Sequence, residues 1–573
     1  MQSLFLLQDT ASIFVRMKAF RDDLSELEGP SIVRFPASAR DWRQAGYQAA
    51  LVGDLLNWEL GFDFARPRPS LEREFLAEHP LDLDEILEYE RLLAPRQGKA
   101  HAAKRARAVA VETGRRFLSY ARCYNPKFIF LWNGWTLPYS IVKALARESG
   151  AFCVCAERGL IPNTLVIDTE GVNAGSYICG EKWEAIASAP PTAREREIAA
   201  EYCASYRTAR QSVVNAAGNE TSAKTLPEIP EGMQTILCPE QLDWDSNTVL
   251  FSPECPTNRS MLETLAEATQ GKPYFVLFKQ HPEADRDSAA YEAILGSRGA
   301  VISKDTPLHT VLEAADIVVT RNSTVGFEAL LLGKPVVTLG RSLYSHKGFT
   351  YDAEDMESLR NALAEAAPRK TIPKAGEDLW QRFLAYLLTR YHYYMAPTTD
   401  WQKEANAAKR KFLLDSIARS QPDWGKAKPR EKYRWEALFS ITDEAADLGK
   451  RILLRAGEHG VDSPDNILLV RACPPEALAK SAAGLRQACP KADLFLAERG
   501  KTASGEEAEL EFAGRFLLNR PYAAARLFAR KWDLAIFAVL NAGWAPSNIG
   551  PLTRLIRAPV KLVVDDYARI LAL

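Results

Sequence analysis

The stretch Asp316-Ile-Val-Val-Thr-Arg-Asn-Ser-Thr-Val-Gly-Phe-Glu-Ala-Leu-Leu-Leu-Gly-Lys-Pro-Val-Val337 decides the fold class. It reads as an apolar run, a polar turn, a helical segment and a second apolar run, in about the shortest length that a parallel crossover allows. Asn322 or Ser323 can cap the helix, and Gly333 can end it. The helix N-terminus at Thr324 would then point out of the carboxyl edge of a sheet, where a phosphate binds readily. The alternative is an ordinary capped helix of a βαβ unit.

Short apolar runs alternate with longer amphipathic segments along most of the 573 residues. This pattern predicts an α/β protein with mainly parallel sheets. The predicted organisation is a Rossmann-like domain over 1–220, a second Rossmann-like domain over 221–395, a helical linker over 396–445 and a smaller α/β extension over 446–573. The cleft between the first two domains is the expected ligand site.

Composition excludes several classes of protein. The 72 Lys and Arg residues almost cancel the 73 Asp and Glu residues, so an anionic ligand needs a local cluster of donors and nucleic-acid binding gains no support. The nine cysteines show no zinc spacing, which predicts a reducing compartment and no metal. No apolar stretch approaches the roughly 20 residues needed to cross a bilayer. We expect a cytoplasmic protein, or one bound to the membrane from that side.

A histidine follows another predicted strand at the same sheet edge. Lys279-Gln-His-Pro282 comes directly after the apolar run Tyr274–Phe278. Pro282 disfavours helix at His281, so the strand would end with an imidazole beside an ammonium group. A cation and a proton donor at that place can neutralise a leaving phosphate. The alternative is a loop histidine with a structural hydrogen bond.

Acidic residues follow two further predicted strands. Glu157 ends the apolar run Phe152–Ala156, where burial would raise its pKa and suit it to proton transfer; a salt bridge to Arg158 is the alternative. Asp243 and Asp245 follow the first strand of the second domain and would face the cleft. Loop acids usually have no catalytic role, so this segment alone is weak support.

Together these motifs resemble the capsule polysaccharide biosynthesis proteins that act as retaining β-Kdo glycosyltransferases. The resemblance extends, in order and spacing, over residues up to about 390. It is carried by Trp132-Asn-Gly134, Glu157-Arg-Gly159, Asp168-Thr-Glu-Gly-Val-Asn173, Gln241-Leu-Asp-Trp-Asp-Ser246, Lys279-Gln-His-Pro282, Asn322-Ser-Thr-Val-Gly-Phe-Glu328, Gly333-Lys-Pro-Val336 and Tyr344. The His-Pro and Ser-Thr pairs are also similar to the nucleotide site of bacterial sialyltransferases, which use CMP-activated sugars as well.

The resemblance implies a GT-B-like arrangement, with the acceptor on the first domain and the CMP-sugar on the second. The implied reaction transfers Kdo, or a related ulosonic acid, from CMP-Kdo to a glycan or glycolipid acceptor in capsule or O-antigen synthesis. Retention would proceed by double displacement, which needs a carboxylate nucleophile and a proton shuttle. No metal and no cofactor beyond the donor substrate are implied.

Carried over by motif position, the catalytic residues would be Asp245 as nucleophile, Glu157 as proton shuttle and His281 at the departing phosphate. Asp243 stays open as a rival nucleophile. The donor-binding residues would be Lys279, Pro282, Asn322, Ser323, Thr324 and Glu328, the last at the ribose hydroxyls. Further cleft residues would be Asn133, Gly134, Arg158, Gln241 and Tyr344.

Alternatives remain open at this stage. The chain is otherwise another nucleotide-sugar transferase, a sugar epimerase, or a non-catalytic binding protein of polysaccharide assembly. Expected partners are the nucleotide sugar and a glycan or lipid-linked glycan, with no nucleic acid; association with a membrane or an assembly complex is left open. The basic and apolar segment Arg515–Lys531 fits a helix lying on an anionic membrane or, preferably, a helix packed on its own sheet.

Overall fold

The computed structural model describes residues 3–7, 20, 24, 31–33, 69–96, 100–209, 226–283, 288–426, 452–453, 455–472, 475–498, 514–517, 527, 529–539, 555–565 and 570–572. Within these residues the chain forms three six-stranded sheets whose strands are mainly parallel. The predicted α/β class is therefore confirmed. None of the described helices is both long and apolar enough to cross a bilayer.

The first sheet has the strand order β12-β5-β4-β3-β1-β2. Its strands are β1 (Ser3–Leu7), β2 (Ser31–Val33), β3 (Phe128–Trp132), β4 (Phe152–Arg158), β5 (Thr164–Asp168) and β12 (His392–Tyr394). The strands β1 to β4 run parallel, whereas β5 runs antiparallel to both of its neighbours. The side chains of β3 are all buried, as in a strand covered on both faces.

Helices surround this sheet. They are Pro69–Glu78, Leu83–Ile86, Glu88–Arg96, Ala100–Tyr124, Tyr139–Ser149, Lys182–Ser188, Ala193–Ala209, Glu377–Tyr386 and Asp400–Arg419. Single 3₁₀ turns lie at Asn173–Gly175 and Tyr177–Cys179, and a π-helical turn at Leu387–Tyr391. The last of these elements follow the second sheet in the sequence. The first sheet is therefore completed by residues that are distant in sequence from its first strands.

The second sheet is wholly parallel, with the order β11-β10-β9-β6-β7-β8. Its strands are β6 (Gln234–Pro239), β7 (Tyr274–Lys279), β8 (Gly299–Ile302), β9 (Ile317–Thr320), β10 (Val336–Thr338) and β11 (Tyr351–Asp352). The chain order reverses between β6 and β9, and such a switch point opens a crevice at the carboxyl ends of the strands. The helices are Ser246–Phe251, Asn258–Ala268, Ala289–Leu295, Leu308–Ala314, Thr324–Leu331 and Met356–Arg369, with 3₁₀ turns at Gly296–Arg298 and Lys374–Gly376.

The strand-helix-strand prediction for 316–337 is confirmed. Ser323 caps the helix Thr324–Leu331, because its Oγ accepts a hydrogen bond from the N–H of Val325 at 3.2 Å. Gly333 follows the helix with a φ of +76°, a left-handed conformation that glycine adopts at little cost. The helix start therefore lies at the crevice, as the sequence predicts.

The chain crosses back to the first sheet before residue 395, so that part of the predicted second domain is wrong. The strand His392–Tyr394 pairs with β5, and Asn406 in the following helix exchanges two hydrogen bonds with the Tyr394 backbone at 2.8 and 2.7 Å. Trp424 then donates from Nε1 to the Pro126 carbonyl at 3.0 Å. These buried aromatic side chains complete the first core, which explains the return.

The third sheet lies in the predicted extension and has the order β15-β14-β13-β16-β17-β18. Its strands are β13 (Asn466–Ala472), β14 (Asp493–Glu498), β15 (Gly514–Leu517), β16 (Leu534–Val539), β17 (Val560–Asp565) and β18 (Ile570–Ala572), and the helix Pro475–Ala488 follows β13. The start of the predicted helix Arg515–Lys531 is wrong, because β15 pairs there with β14 in parallel. Residues 518–526 and 528 of that prediction lie outside the described residues.

Candidate functional site

Two loops meet at the switch point of the second sheet, one after β6 and one after β9. Gln241 joins them: its Nε2 donates to Asn322 Oδ1 at 2.7 Å, and its Oε1 accepts from Thr320 Oγ1 at 3.2 Å. Asn322 in turn donates from Nδ2 to the Asn247 carbonyl at 2.9 Å. Gln241 and Asn322 are both buried. The two predicted site residues are thus brought together, as a polar brace beneath the crevice.

Asp243 is held by a structural ion pair. Its Oδ1 lies 2.9 Å from a guanidinium nitrogen of Arg321, whose side chain is fully buried. The same carboxylate accepts the N–H of Asn258 at 3.0 Å, at the start of the helix Asn258–Ala268. A carboxylate that neutralises a buried guanidinium is costly to release for chemistry.

Asp245 has different partners. It caps the helix Ser246–Phe251, and its Oδ1 accepts the N–H of Asn247 at 2.8 Å. Burial raises the pKa of this carboxyl above its usual range, while the helix N–H groups and the neighbouring His281 act in the opposite direction. The residue is half-buried at the start of a helix that faces the first domain.

Glu157 lies across from Asp245, at the end of β4. Its Oε2 accepts from Nδ2 of Asn133 at 3.1 Å, and its Oε1 accepts the backbone N–H of Arg158 at 2.9 Å. The pKa of Glu157 is raised to about 7, mainly by burial and to a smaller extent by the charge of Asp245, while the hydrogen bonds from Arg158 and Asn133 act in the opposite direction. The two carboxyls therefore come from different domains, and the charge of Asp245 affects the protonation of Glu157. The Arg158 side chain is exposed.

Gly134 and Tyr344 fit tightly in the walls of the crevice. A Cβ on Gly134, at a φ of +85°, would lie 2.5 Å from Cys155 Sγ. The hydroxyl of Tyr344 donates to the carbonyl of Ser323, and a Cβ on Gly326 would overlap that hydroxyl. Both predicted cleft residues therefore shape the backbone at the site.

The side of the crevice at the start of the helix Thr324–Leu331 is more open. Ser323 and Thr324 are half-buried at the helix N-terminus. His281 donates its backbone N–H to Glu240 Oε2 at 3.0 Å, and its Nδ1 accepts the N–H of Glu283 at 3.1 Å. The neutral imidazole therefore carries its proton on Nε2. Burial lowers the pKa of His281, which favours this neutral form.

Lys279 and Pro282 flank His281 in different ways. The ammonium group of Lys279 is buried and donates to the carbonyls of Gln280 at 3.2 Å and Lys304 at 3.1 Å. Burial lowers its pKa to about 8. Pro282 is exposed. A phosphate contact of Lys279 stays a prediction, and in this conformation the ammonium group already has main-chain acceptors.

Glu328 differs from the expected ribose contact. Its side chain is fully buried, and Oε2 accepts from the hydroxyl of Tyr206 at 2.5 Å. Tyr206 belongs to the helix Ala193–Ala209, which packs against the helix Thr324–Leu331 and covers Glu328. The ribose role stays a prediction that requires Tyr206 to move.

The helix Glu88–Arg96 is a third wall that the sequence did not indicate. Tyr89 donates to the carbonyl of Trp244 at 2.7 Å, and Arg96 donates to the carbonyl of Pro256 at 3.2 Å. Glu90 accepts the N–H of Leu137 at 2.7 Å, and burial raises its pKa to about 7. These contacts join residues about 50 to 160 positions apart, and no local motif marks them.

Within the described part of the chain, no group of three or more His, Cys, Asp or Glu side chains is arranged to hold a metal ion. The crevice combines the half-buried carboxyls of Glu157 and Asp245, the neutral imidazole of His281 and the N-terminus of the helix Thr324–Leu331. This donor set fits an anionic ligand and acid-base chemistry.

Comparison with known proteins gives the family context. Residues 193–394 match the family "Capsule polysaccharide biosynthesis protein". The protein FixF of Sinorhizobium fredii is 29% identical over 306 residues, which cover 52% of this chain and 67% of FixF. The capsule polysaccharide modification protein LipA of Neisseria meningitidis serogroup B is 27% identical over 185 residues, 30% of this chain and 23% of LipA. The chain thus spans about two thirds of FixF and less than a quarter of LipA.

Two solved structures are similar at low identity. The Thermosulfurimonas dismutans KpsC β-Kdo 2,7 transferase is 21% identical, with 52% of this chain and 89% of that chain covered and a TM-score of 0.35. The S. aureus MnaA–UDP structure is 11% identical, with 74% and 100% covered and a TM-score of 0.30.

Proposed function

We propose that this chain is a retaining glycosyltransferase, because residues 193–394 match the family of capsule polysaccharide biosynthesis proteins. The proposed donor is CMP-Kdo or a related CMP-ulosonic acid, and the acceptor is a glycan or glycolipid. The observation that carries the proposal is the meeting of Glu157 and Asp245 across the crevice, beside His281 and the open helix start at Ser323.

In the first step, a carboxylate oxygen of Asp245 attacks the anomeric carbon, and the bond from that carbon to the phosphate oxygen breaks. CMP leaves with the electron pair. We propose that the Nε2–H of His281 and the helix N-terminus at Ser323 and Thr324 stabilise the departing phosphate. Asp243, tied to Arg321, is less suited to this attack than Asp245.

In the second step, the acceptor hydroxyl attacks the glycosyl-Asp245 ester and Asp245 is released as a carboxylate. The hydroxyl proton passes to Glu157. A carboxyl with a pKa of about 7 suits this task, because it is partly ionised near neutral pH and returns the proton readily. We propose that no metal takes part, so EDTA should leave the rate unchanged. We propose that the reaction takes place in the cytoplasm, and at the inner membrane face if the acceptor is lipid-linked.

The decisive experiment incubates the protein with CMP-Kdo and measures CMP release together with intact mass. The wild type should release CMP and gain the mass of one Kdo residue. Asp245→Asn should lose turnover by about 1,000-fold or more and show no adduct. Asp243→Asn is the matched variant and should keep turnover in its folded fraction. Full turnover in the Asp245→Asn protein contradicts the mechanism.

Donor choice is tested by thermal unfolding with CMP, UDP and GDP at equal concentration. A ligand that binds the folded protein raises the melting temperature by mass action. CMP should give the largest increase. A larger increase with UDP contradicts the proposed donor and favours another nucleotide-sugar enzyme.

A further inference from the structure

Asn133 occupies an unusual backbone position directly after β3. Its φ is +63°, in the left-handed region that asparagine tolerates better than most residues. Its backbone N–H donates to the carbonyl of Ala156 at 2.7 Å, which ties the turn to β4. The side chain is buried. The backbone thus fixes where the Asn133 amide group lies.

The amide group makes three hydrogen bonds. Its Oδ1 accepts the N–H of Trp135 at 3.1 Å, which settles the orientation of the amide. Its Nδ2 donates to Glu157 Oε2 at 3.1 Å and to Ser246 Oγ at 3.0 Å. Both amide protons are therefore engaged, one in each domain.

One acceptor is a proposed catalytic residue, and the other is the chain neighbour of the second proposed catalytic residue. Glu157 is the proposed proton shuttle on the first domain. Ser246 directly follows Asp245 and begins the helix that Asp245 caps. If the second domain moves away, Asn133 loses the Ser246 acceptor, and its amide is then held only by Trp135 and Glu157 of the first domain. Domain closure of this kind is common in two-domain enzymes.

We propose that Asn133 is a positioning residue that couples the seating of the second domain to the orientation of the Glu157 carboxyl. This inference rests on the proposed function of Glu157. The hydrogen bond from Asn133 favours ionised Glu157 and opposes the effect of burial on its pKa. Proton transfer is then most effective when Ser246, and with it Asp245, is in place.

The first test is the pH dependence of CMP release from CMP-Kdo. Asn133→Gly keeps the positive φ and removes the hydrogen-bond donor to Glu157. We therefore expect the part of the pH–rate profile that depends on Glu157 ionisation to shift to higher pH by about one unit. Ser246→Ala should move it in the same direction by less. In the Asn133→Gly background, Ser246→Ala should have no further effect, because the shared amide is already gone. An unchanged pH profile in Asn133→Gly, or in Ser246→Ala alone, overturns the proposal.

The matched control is Asn125→Gly. Asn125 also has a positive φ, of 47°, but lies exposed at a helix end outside the crevice. This variant makes the same chemical change and should leave the pH profile as in the wild type. Circular dichroism of all variants checks that each protein is folded. A shift in Asn125→Gly as large as in Asn133→Gly also overturns the proposal.

A second measurement separates this inference from the proposed function. Infrared difference spectra follow the Glu157 carboxyl band, which Glu157→Gln identifies by its loss. The band should titrate at higher pH in Asn133→Gly and, by a smaller amount, in Ser246→Ala than in the wild type. If the wild type releases no CMP and the band still shifts, the proposed function fails and the coupling stands. If CMP is released and the band does not shift, the coupling fails alone.

Discussion

Asp243 and Asp245 lie two residues apart in the loop after β6 and have opposite surroundings. Asp243 pairs with the buried Arg321 guanidinium at 2.9 Å, whereas Asp245 accepts hydrogen bonds from neutral helix N–H groups and faces Glu157 across the crevice. An acid that neutralises a buried cation has a structural role, because removing its charge leaves the cation unpaired. An acid with neutral donors keeps a carboxylate available for reaction. The difference between the two residues is set by their partners and not by their spacing.

The largest expected effect on stability comes from breaking the charged pair. Asp243→Asn leaves Arg321 buried without its counter-charge, so the free energy of unfolding should fall by about 3 kcal/mol. Asp245→Asn should change it little, because asparagine caps a helix as well as aspartate does. Urea denaturation of the two variants measures both values.

The control for this comparison removes both charges. Asp243→Asn combined with Arg321→Met should recover part of the lost stability, since no buried charge is then left unpaired. If Asp243→Asn is as stable as the wild type, the pair has no structural role and Asp243 returns as a candidate nucleophile.

A smaller effect is expected from Glu90, another acid with a neutral donor. Burial raises its pKa from 4.5 to about 7, so the folded protein binds more protons than the unfolded chain between these values. The stability contributed by the neutral carboxyl is therefore present at pH 4.5 and lost as pH rises to 7. In Glu90→Gln, the decrease in the free energy of unfolding over this pH range should be smaller by about 2 kcal/mol. The glutamine oxygen can still accept the N–H of Leu137.

Denaturation midpoints at pH 5 and pH 8 check the Glu90 prediction. Glu88→Gln is the matched control, because Glu88 is an exposed acid on the same helix. Its midpoints should follow the wild type at both pH values. A Glu90→Gln protein with the pH dependence of the wild type shows that Glu90 is ionised in the folded protein.

The parts of the fold that the sequence predicts are those set by local patterns. The alternation of apolar runs and a Ser323 cap suffices for the second sheet and its helix start. The carboxyl-edge rule also brings Glu157 and Asp245 toward one crevice, and the structure places them there. These features depend on strand order and capping, which short stretches of sequence encode.

The parts that the sequence does not predict depend on contacts between distant residues. The return of His392–Tyr394 to the first sheet is a pairing with β5 more than 200 residues earlier. The helix Glu88–Arg96 reaches the crevice through a Tyr89 hydroxyl and a Trp244 carbonyl, which carry no motif. The burial of Glu328 depends on Tyr206, 122 residues away. Local periodicity contains no information on such partners.

The smallest expected effect concerns Glu328, and it tests whether this acid has a structural role or is available to a ligand. Tyr206→Phe removes a hydroxyl that donates to this buried carboxylate, and should lower the free energy of unfolding by about 1 kcal/mol. The proposed ribose contact predicts that CMP then binds several-fold more tightly in calorimetric titration, because Tyr206 no longer competes for the carboxylate. Tyr394→Phe is the control, since its hydroxyl donates to the Leu388 carbonyl in the first domain and its loss should not alter CMP binding. Lowered stability with unchanged CMP affinity in Tyr206→Phe would give Glu328 a structural role, as Asp243 has, and would leave the ribose to the half-buried residues at the Ser323 helix start.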